Sequence, residues 1–407
     1  MSSKLPDPHG RGTGAEQAWV PILRADAADP ELFEELMTAV REVASRNAFN
    51  GGRYLVAFER DLAAACEIQH ACGVASGTAA LTIALKALGI GRGDRVVVPA
   101  NSHIGTAEAV CHAGADVRLA DVDRATGLLT AATTARALTA GVRAVIPVHL
   151  GGATADIDAV AEVAHAVGAV VVEDAGQAAG ARLRGRPVGT IGDAGALSFD
   201  PAKGLGAWGD AGAVLTADAD VAERVALLRS HGSRRMHIHR VVGDSASLDA
   251  LHAAVLRAKL PRLELWNAER RTLAARLRAG LAGVPGLELP PAEPVPGGDH
   301  VHHAFVVRSE HRDALRRHLD AARVETDIHY PVPIHLTGAF ASLGLGQGAM
   351  PVAERLAWHS LTLPLPRGMT DAALGVDTQN ASGALRVYER CGFRVASKST
   401  EYRRRLD

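Results

Sequence analysis

Lys203 lies in the stretch "GDAGALSFDPAKGLGAWGDAGAVLTAD", between two apolar runs with strand character. The chain has five lysines against thirty-nine arginines. A sequence that carries its positive charge almost entirely on arginine has a chemical reason to keep a lysine where an amine must act, since a guanidinium stays protonated and forms no Schiff base. Lys203 is therefore the candidate nucleophile. About thirty residues upstream, "VGAVVVEDAGQAAGA" reads as a buried strand ending in Glu173 and Asp174, and a carboxylate at the C-terminal end of a strand sits where open α/β sheets place their ligands. Further upstream, "GVASGTAALTIALKALGIG" puts Gly77 and Thr78 at the start of an apolar helix, whose free N–H groups and positive dipole end suit a phosphate.

A phosphate cradle, a strand-end aspartate and a lysine in a Gly-rich loop are, in that order, the parts a pyridoxal phosphate enzyme needs. The aspartate keeps the pyridinium protonated so that the ring is an electron sink, and the lysine holds the aldehyde. Gly204, Gly206 and Gly209 also spell a G-x-G-x-x-G, but the dinucleotide fingerprint must open a helix, and here Asp210 runs on into the strand-like "AGAVLT".

The elements that must hold these residues follow from hydropathy. From Val74 to about Ala217, short apolar runs alternate with amphipathic stretches: Arg95 to Pro99, Ala115 to Val122, Arg143 to His149, Ala169 to Asp174, Ala194 to Phe199 and Ala211 to Thr216. Continuous apolar strands separated by helices predict a mainly parallel sheet covered on both faces. Leu248 to Leu281 has helical spacing and is broken or bent at Pro261. The segment "GVPGLELPPAEPVPGGD" is a linker, and the pattern beyond it reads strand, helix, strand. The expected fold class is thus α/β, a large domain with a mainly parallel sheet plus a smaller C-terminal α+β domain. Its expected divisions are 1–18 disordered, 19–281 large domain, 282–373 small domain and 374–407 a separate fragment.

Composition narrows the function. With 407 residues, 47% of them hydrophobic, the chain can bury a large core, and a net charge of −1 with interspersed signs gives no electrostatic footprint for nucleic acid or an anionic membrane. Small-molecule substrates are expected. Cys66, Cys72, Cys111 and Cys391 form no C-x-x-C pair and no zinc spacing with the histidines, and the N-terminus has no apolar signal region. Reduced thiols, no metal and a cytoplasmic location are the corresponding expectations.

Seven blocks, "SGTAAL", "VVVPANSHIGT", "VEDAGQAAGA", "SFDPAKGLGAWGDAGAVLTAD", "LDALHAAVLRAKL", "HYPVPIHL" and "PVAERLAWHSLTLPLP", occur in the order and spacing of the DegT/DnrJ/EryC1/StrS aminotransferases. The resemblance spans about Gly51 to Asp371. It implies a fold-type-I, homodimeric, pyridoxal phosphate-dependent enzyme that moves an amino group from glutamate or glutamine to a keto-sugar. Lys203 resembles the Schiff-base lysine, and also the base that moves the substrate proton. Asp174 resembles the pyridine-nitrogen partner, Gln177 the group near the phenolic oxygen, and Thr78, Ala79 and Ser198, beside Gly77, the phosphate ligands. His103 stands where the family places an aromatic ring over the cofactor. His329, Tyr330 and His335 of "HYPVPIHL" are implied substrate-binding residues. The "K-G-L-G-A-W-G-D" loop resembles that of the 3-keto nucleotide-sugar members, which points to a nucleotide-linked 3-keto-deoxysugar.

The chain departs from the family pattern twice. The block that lends an asparagine to the partner subunit's phosphate reads Gly243-Asp244-Ser245-Ala246-Ser247-Leu248, so Ser245 offers one weaker hydrogen bond across an interface. The tail "GVDTQNASGALRVYERCGFRVASKSTEYRRRLD" resembles the end of a GNAT-type N-acetyltransferase through Asn380, Tyr388, Gly392 and Phe393, without the preceding coenzyme A loop. Two other readings stay open: a deoxysugar dehydratase of the same fold, against which Lys203 argues because those enzymes carry histidine there, and an impaired cofactor-binding relative with a regulatory role.

Overall fold

The computed structural model describes residues 20–366, apart from 23–25, 27–28 and 236. The expectations for residues 1–18 and 374–407 lie outside the described residues. Helices α1 (Pro30–Ser45) and α2 (Gly52–Ala65) precede strand β1 (His70–Val74). The chain then alternates through α3 (Gly77–Ala87), β2 (Arg95–Pro99), α4 (Ile104–Ala113), β3 (Asp116–Ala120), α5 (Ala131–Ala137), β4 (Val142–Val145), α6 (Ile157–His165) and β5 (Val170–Asp174). A small hairpin, β6 (Arg182–Leu183) and β7 (Arg186–Pro187), leads to β8 (Ala194–Ser198), β9 (Gly212–Thr216) and α7 (Ala219–Leu228).

Seven strands form one sheet in the order β1-β9-β8-β5-β4-β2-β3. β9 runs antiparallel to both of its neighbours and the other pairings are parallel, so the C-terminal ends of the remaining six strands share one edge. The loop between β8 and β9 has no crossover helix, and a chain that returns directly to the adjacent position must run antiparallel. The six strands expected from hydropathy are all present: β2 has the expected ends, β4 starts one residue earlier and stops at Val145, and the others are shorter by one to three residues. β1 escaped that reading because "HACGV" carries a single β-branched residue.

Alternation along the strands divides the core. Val171 packs in the cluster that includes Phe58, Leu248 and Leu256, while Val172, Ala194 and Ala196 pack in the opposite cluster with Leu81, Ile83 and Val110. Period two therefore places Asp174 and Ser198 on the face covered by α3 and α4, and Glu173 on the other.

After a second hairpin, β10 (Ser233–Arg235) and β11 (Ile238–His239), come α8 (Ala250–Lys259) and α9 (Leu263–Leu281), separated by a single 3₁₀ turn that contains Pro261. Strand β12 (Phe305–Arg308), α10 (Arg312–Ala321), α11 (Pro351–His359) and β13 (Ser360–Leu363) follow. β12 and β13 pair antiparallel over a third cluster formed by Leu273, Leu281, Phe305, Val307 and Leu361. The second half of α9 thus packs with the C-terminal elements. The strand expected around residues 324–330 is reduced to isolated bridges, Val20 with Val324 and Asp327 with Thr362.

Where the chain enters this region, the rings of His300 and His302 stack at 3.8 Å and 12°. Burial holds His300 well below its ordinary value and, with Arg278 nearby, lowers His302 to about 4. A neutral buried histidine that charges on unfolding makes the unfolded state bind the proton first. Its contribution is therefore complete above pH 6.5 and is lost as pH falls toward 4, about 3 kcal/mol for His302. Urea unfolding between pH 7 and 4 should show this loss, and His302→Asn, which suits the φ of 49°, should reduce the slope. An unchanged slope would rule out His302 as the source.

Candidate active site

The site is assembled at the edge where the six strands end. Ser76 caps α3, its Oγ accepting from the Ala79 N–H at 3.1 Å, which leaves the first-turn N–H groups of Gly77 and Thr78 outside the helix ladder. A Cβ on Gly77 would fall 2.7 Å from Ser198 Cβ, and one on Gly105 would fall 2.6 Å from Thr78 Oγ1. Glycine at these positions lets the starts of α3 and α4 and the end of β8 approach closely and form a cradle. Its hydroxyls and free amides fit a phosphate, as the sequence reading requires. Of the expected ligands, Ala79 is the one whose N–H is already used by the cap.

Asp174 closes β5 on the same side. Its Oδ2 accepts from Thr106 Oγ1 at 2.8 Å and its Oδ1 from the Gly176 N–H at 3.1 Å. Its neighbour Glu173 is fully buried and accepts from the N–H groups of Gly189, Ile191 and Gly192 and from His149 Nε2. His149 Nδ1 accepts from the Ala155 N–H, so its Nε2 carries the proton donated to Glu173. That satisfied carboxylate anchors the backbone, and Asp174 is the one directed to the site.

Lys203 sits in a turn fixed by its own N–H to the Asp200 carbonyl at 2.8 Å and by the Ala207 N–H to the Phe199 carbonyl at 2.8 Å. Burial lowers its pKa below 10.5, opposed by the Asp200 and Asp174 carboxylates. It opens into a cavity of about 570 Å³ lined also by Trp208, Arg270, His303, His329 and Tyr330. Lys259 Nζ, at 2.6 Å from both Asp26 Oδ2 and the Gly206 carbonyl, braces the loop, and Trp208 Nε1 donates to the same Asp26 oxygen at 2.9 Å.

The opposing wall is linked to the sheet by Gln177. Its Oε1 accepts from the Gly151 N–H at 2.6 Å and its Nε2 donates to Tyr330 Oη at 2.9 Å, leaving one amide hydrogen for a ligand. Burial raises the Tyr330 phenol and lowers His329, whose Nδ1 lies 2.9 Å from Thr362 Oγ1. His103 caps α4, with Nδ1 accepting from the Gly105 N–H at 3.1 Å, and its exposed ring lies 5.5 Å from that of Tyr330 at 61°.

Two expected residues lie away from this cluster. His335 is 1% exposed and bound to Glu354 Oε1 at 2.9 Å; Glu354 also accepts from the Gly348 and Met350 N–H groups. The structure thus gives His335 a packing role and does not bring it to the cavity, because the 3₁₀ turn Ile334–Leu336 turns it inward. Ser245 is exposed in the segment that pairs through its main chain with Ser230, and it is not among the residues lining the cavity. Sequence reasoning missed Thr106, although it stands three residues after His103 in the "SHIGT" block, and it missed Arg270 and His303, whose surroundings carry no motif.

A mainly parallel sheet with a lysine loop, a strand-end aspartate and a helix-start cradle at one edge has the architecture of a fold-type-I aminotransferase. The family model for the DegT/DnrJ/EryC1/StrS aminotransferases matches residues 30–376, and the chain belongs to this family. It is 46% identical over 346 residues to "Erythromycin biosynthesis sensory transduction protein EryC1" of Saccharopolyspora erythraea, covering 85% of this chain and 94% of that protein. It is 44% identical over 351 residues to "dTDP-3-amino-3,4,6-trideoxy-alpha-D-glucose transaminase" of Streptomyces venezuelae, covering 86% and 92%. The crystal structure of S. venezuelae DesV in complex with a ketimine intermediate superposes with a TM-score of 0.84 at 42% identity, covering 92% of this chain and 98% of that one. This chain is a sugar aminotransferase.

Proposed function

We propose that the enzyme uses pyridoxal phosphate to move an amino group from glutamate, or glutamine, to a nucleotide-linked 3-keto-deoxysugar. The observation that carries this reading is Lys203 at the cavity within electrostatic reach of the Asp174 carboxylate, which shares its sheet face with the Gly77–Ser198 cradle, in a chain whose similar proteins include 3-amino-sugar transaminases. When bound, the cofactor supplies the electron sink for removal of a proton from the amino donor. Gly77 and Thr78 with their free N–H groups, and Thr78 and Ser198 with their hydroxyls, hold its phosphate, while the Ala79 N–H stays with the Ser76 cap. Asp174 offers a fixed negative charge to the ring nitrogen, Gln177 its remaining amide hydrogen to the phenolic oxygen, and His103 an imidazole face to the ring. Lys203 attaches the cofactor and, once released, its amine takes the proton from the donor carbon and returns it. His329 and Tyr330 contact the sugar. The direct test supplies glutamate and a dTDP-3-keto-deoxysugar to the purified enzyme. Formation of 2-oxoglutarate together with the 3-amino-sugar supports the reading, and 2-oxoglutarate without an amino-sugar overturns the substrate class.

The same reading makes the enzyme a cytoplasmic homodimer. Among the described residues no helix is long and apolar enough to cross a membrane. Burial raises the thiols of Cys66 and Cys72 to about 12 and about 11, which keeps them unreactive. Ile238, Val241 and Val242 are exposed beside the Ser245 segment, Val242 at 95%, and suit a buried subunit contact. Ser245→Asn should then tighten cofactor binding by about 1 kcal/mol, the net value of one good hydrogen bond. Unchanged affinity, or a monomer by sedimentation, would count against a cross-subunit contact.

A further inference from the structure

Of the polar side chains that line the cavity, most are already engaged. Tyr330 accepts from Gln177, His329 pairs with Thr362, Trp208 donates to Asp26, and Arg270 donates to the Val301 carbonyl. His303 is different. Among the described residues neither of its ring nitrogens takes a hydrogen-bond partner, and the half-buried side chain lines the cavity beside Lys203. Burial, with Lys203, His329 and Arg270 around it, lowers its pKa well below 6.5, so the imidazole is neutral at working pH and one nitrogen is a hydrogen-bond acceptor.

Its backbone is held on both sides. The Val301 N–H donates to the Gly152 carbonyl and the Ala304 N–H to the Gly151 carbonyl, both at 3.0 Å. Gly152 has φ +89°, and a Cβ there would meet the His303 nitrogen at 2.8 Å, so only glycine permits this approach. Gly151 is in turn bound to Gln177. A half-buried imidazole with no protein partner, fixed this firmly on the wall of a substrate cavity, is free to accept a hydrogen bond from a ligand.

We propose that His303 reads the hydroxyl on the carbon next to the one being aminated, accepting its hydrogen bond and so selecting sugars that carry it. The proposal rests on the keto-sugar reading above. No covalent step is involved, and His303 acts as a specificity residue.

The test measures equilibrium binding of dTDP-3-amino-3,4,6-trideoxy-α-D-glucose, whose hydroxyl next to the amine is at carbon 2, and of its 2-deoxy analogue to the holoenzyme by titration calorimetry. The wild type should bind the analogue about tenfold more weakly, the value of one net hydrogen bond. His303→Phe should bind both sugars equally, and His303→Gln, which keeps an acceptor, should retain part of the discrimination. Equal binding of the two sugars by the wild type, or full discrimination by His303→Phe, overturns the proposal; should the phenylalanine variant not fold, loss of discrimination in His303→Gln relative to wild type decides it. If the wild type binds neither sugar, the substrate class itself has failed, and the result is distinguishable because glutamate still converts the holoenzyme.

Discussion

Lys203→Ala should lose at least about a thousandfold in transamination, since proton transfer by a positioned group alone contributes about 10²–10⁴-fold and the variant also loses the attachment point. The wild-type protein with cofactor should be yellow and bleach on addition of glutamate, and borohydride treatment should fix the cofactor to the peptide that contains Lys203. Recovery of the label on Lys86 or Lys259, or turnover in the alanine variant, would falsify the assignment. A second readout concerns the amine itself. Because burial lowers the Lys203 pKa, the rate of cofactor attachment to the cofactor-free protein should reach its midpoint below pH 10.5. A midpoint at or above that value would place Lys203 in water.

Asp174→Asn should cost about 10²–10³-fold in turnover, the range for removing one preorganised electrostatic group from a buried site. Asparagine keeps the shape and the bond from Thr106 but not the charge, so folding should be little affected. Thr106→Val removes only the hydroxyl at 2.8 Å and should cost about tenfold, the value of a hydrogen bond to a charged group. The order of the two effects is the discriminating result. If Thr106→Val equals or exceeds Asp174→Asn, the carboxylate serves to hold α4 in place and its charge is not used.

The parts of the site that the sequence made legible are those whose chemistry depends on backbone position. Lys203, Asp174 and Gly77 were readable because each sits at the junction of a strong hydropathy run with a loop or helix start, and such junctions in a parallel sheet share one edge, whereas Ser198 was named through the family resemblance alone. The direction of β9 was not readable, since an apolar run has the same pattern whichever way it points. His335 was misplaced for a related reason: a motif fixes residue order, but the side to which a 3₁₀ turn directs a side chain depends on whether a partner such as Glu354 waits in the core. Thr106 and His303 depend on contacts between distant segments, Thr106 with Asp174 and His303 with the Gly151–Gly152 turn, and single-sequence periodicity carries no record of these.

Gly77, Gly105 and Gly152 each lie where an added methyl would strike a neighbour at less than 3 Å. The cofactor cradle is thus set by close packing that only glycine allows at Gly77 and Gly105, and the cavity wall by the side chains of Trp208, His303, His329 and Tyr330. The two sides have unequal freedom to diverge. Replacing a wall side chain alters which sugar fits and leaves the cradle standing, whereas almost any change at Gly77 or Gly105 displaces a helix start, and one at Gly152 displaces the backbone of His303. Descendants of this scaffold can therefore drift in substrate while their cofactor chemistry stays fixed, and a library meant to change sugar preference is best confined to the wall.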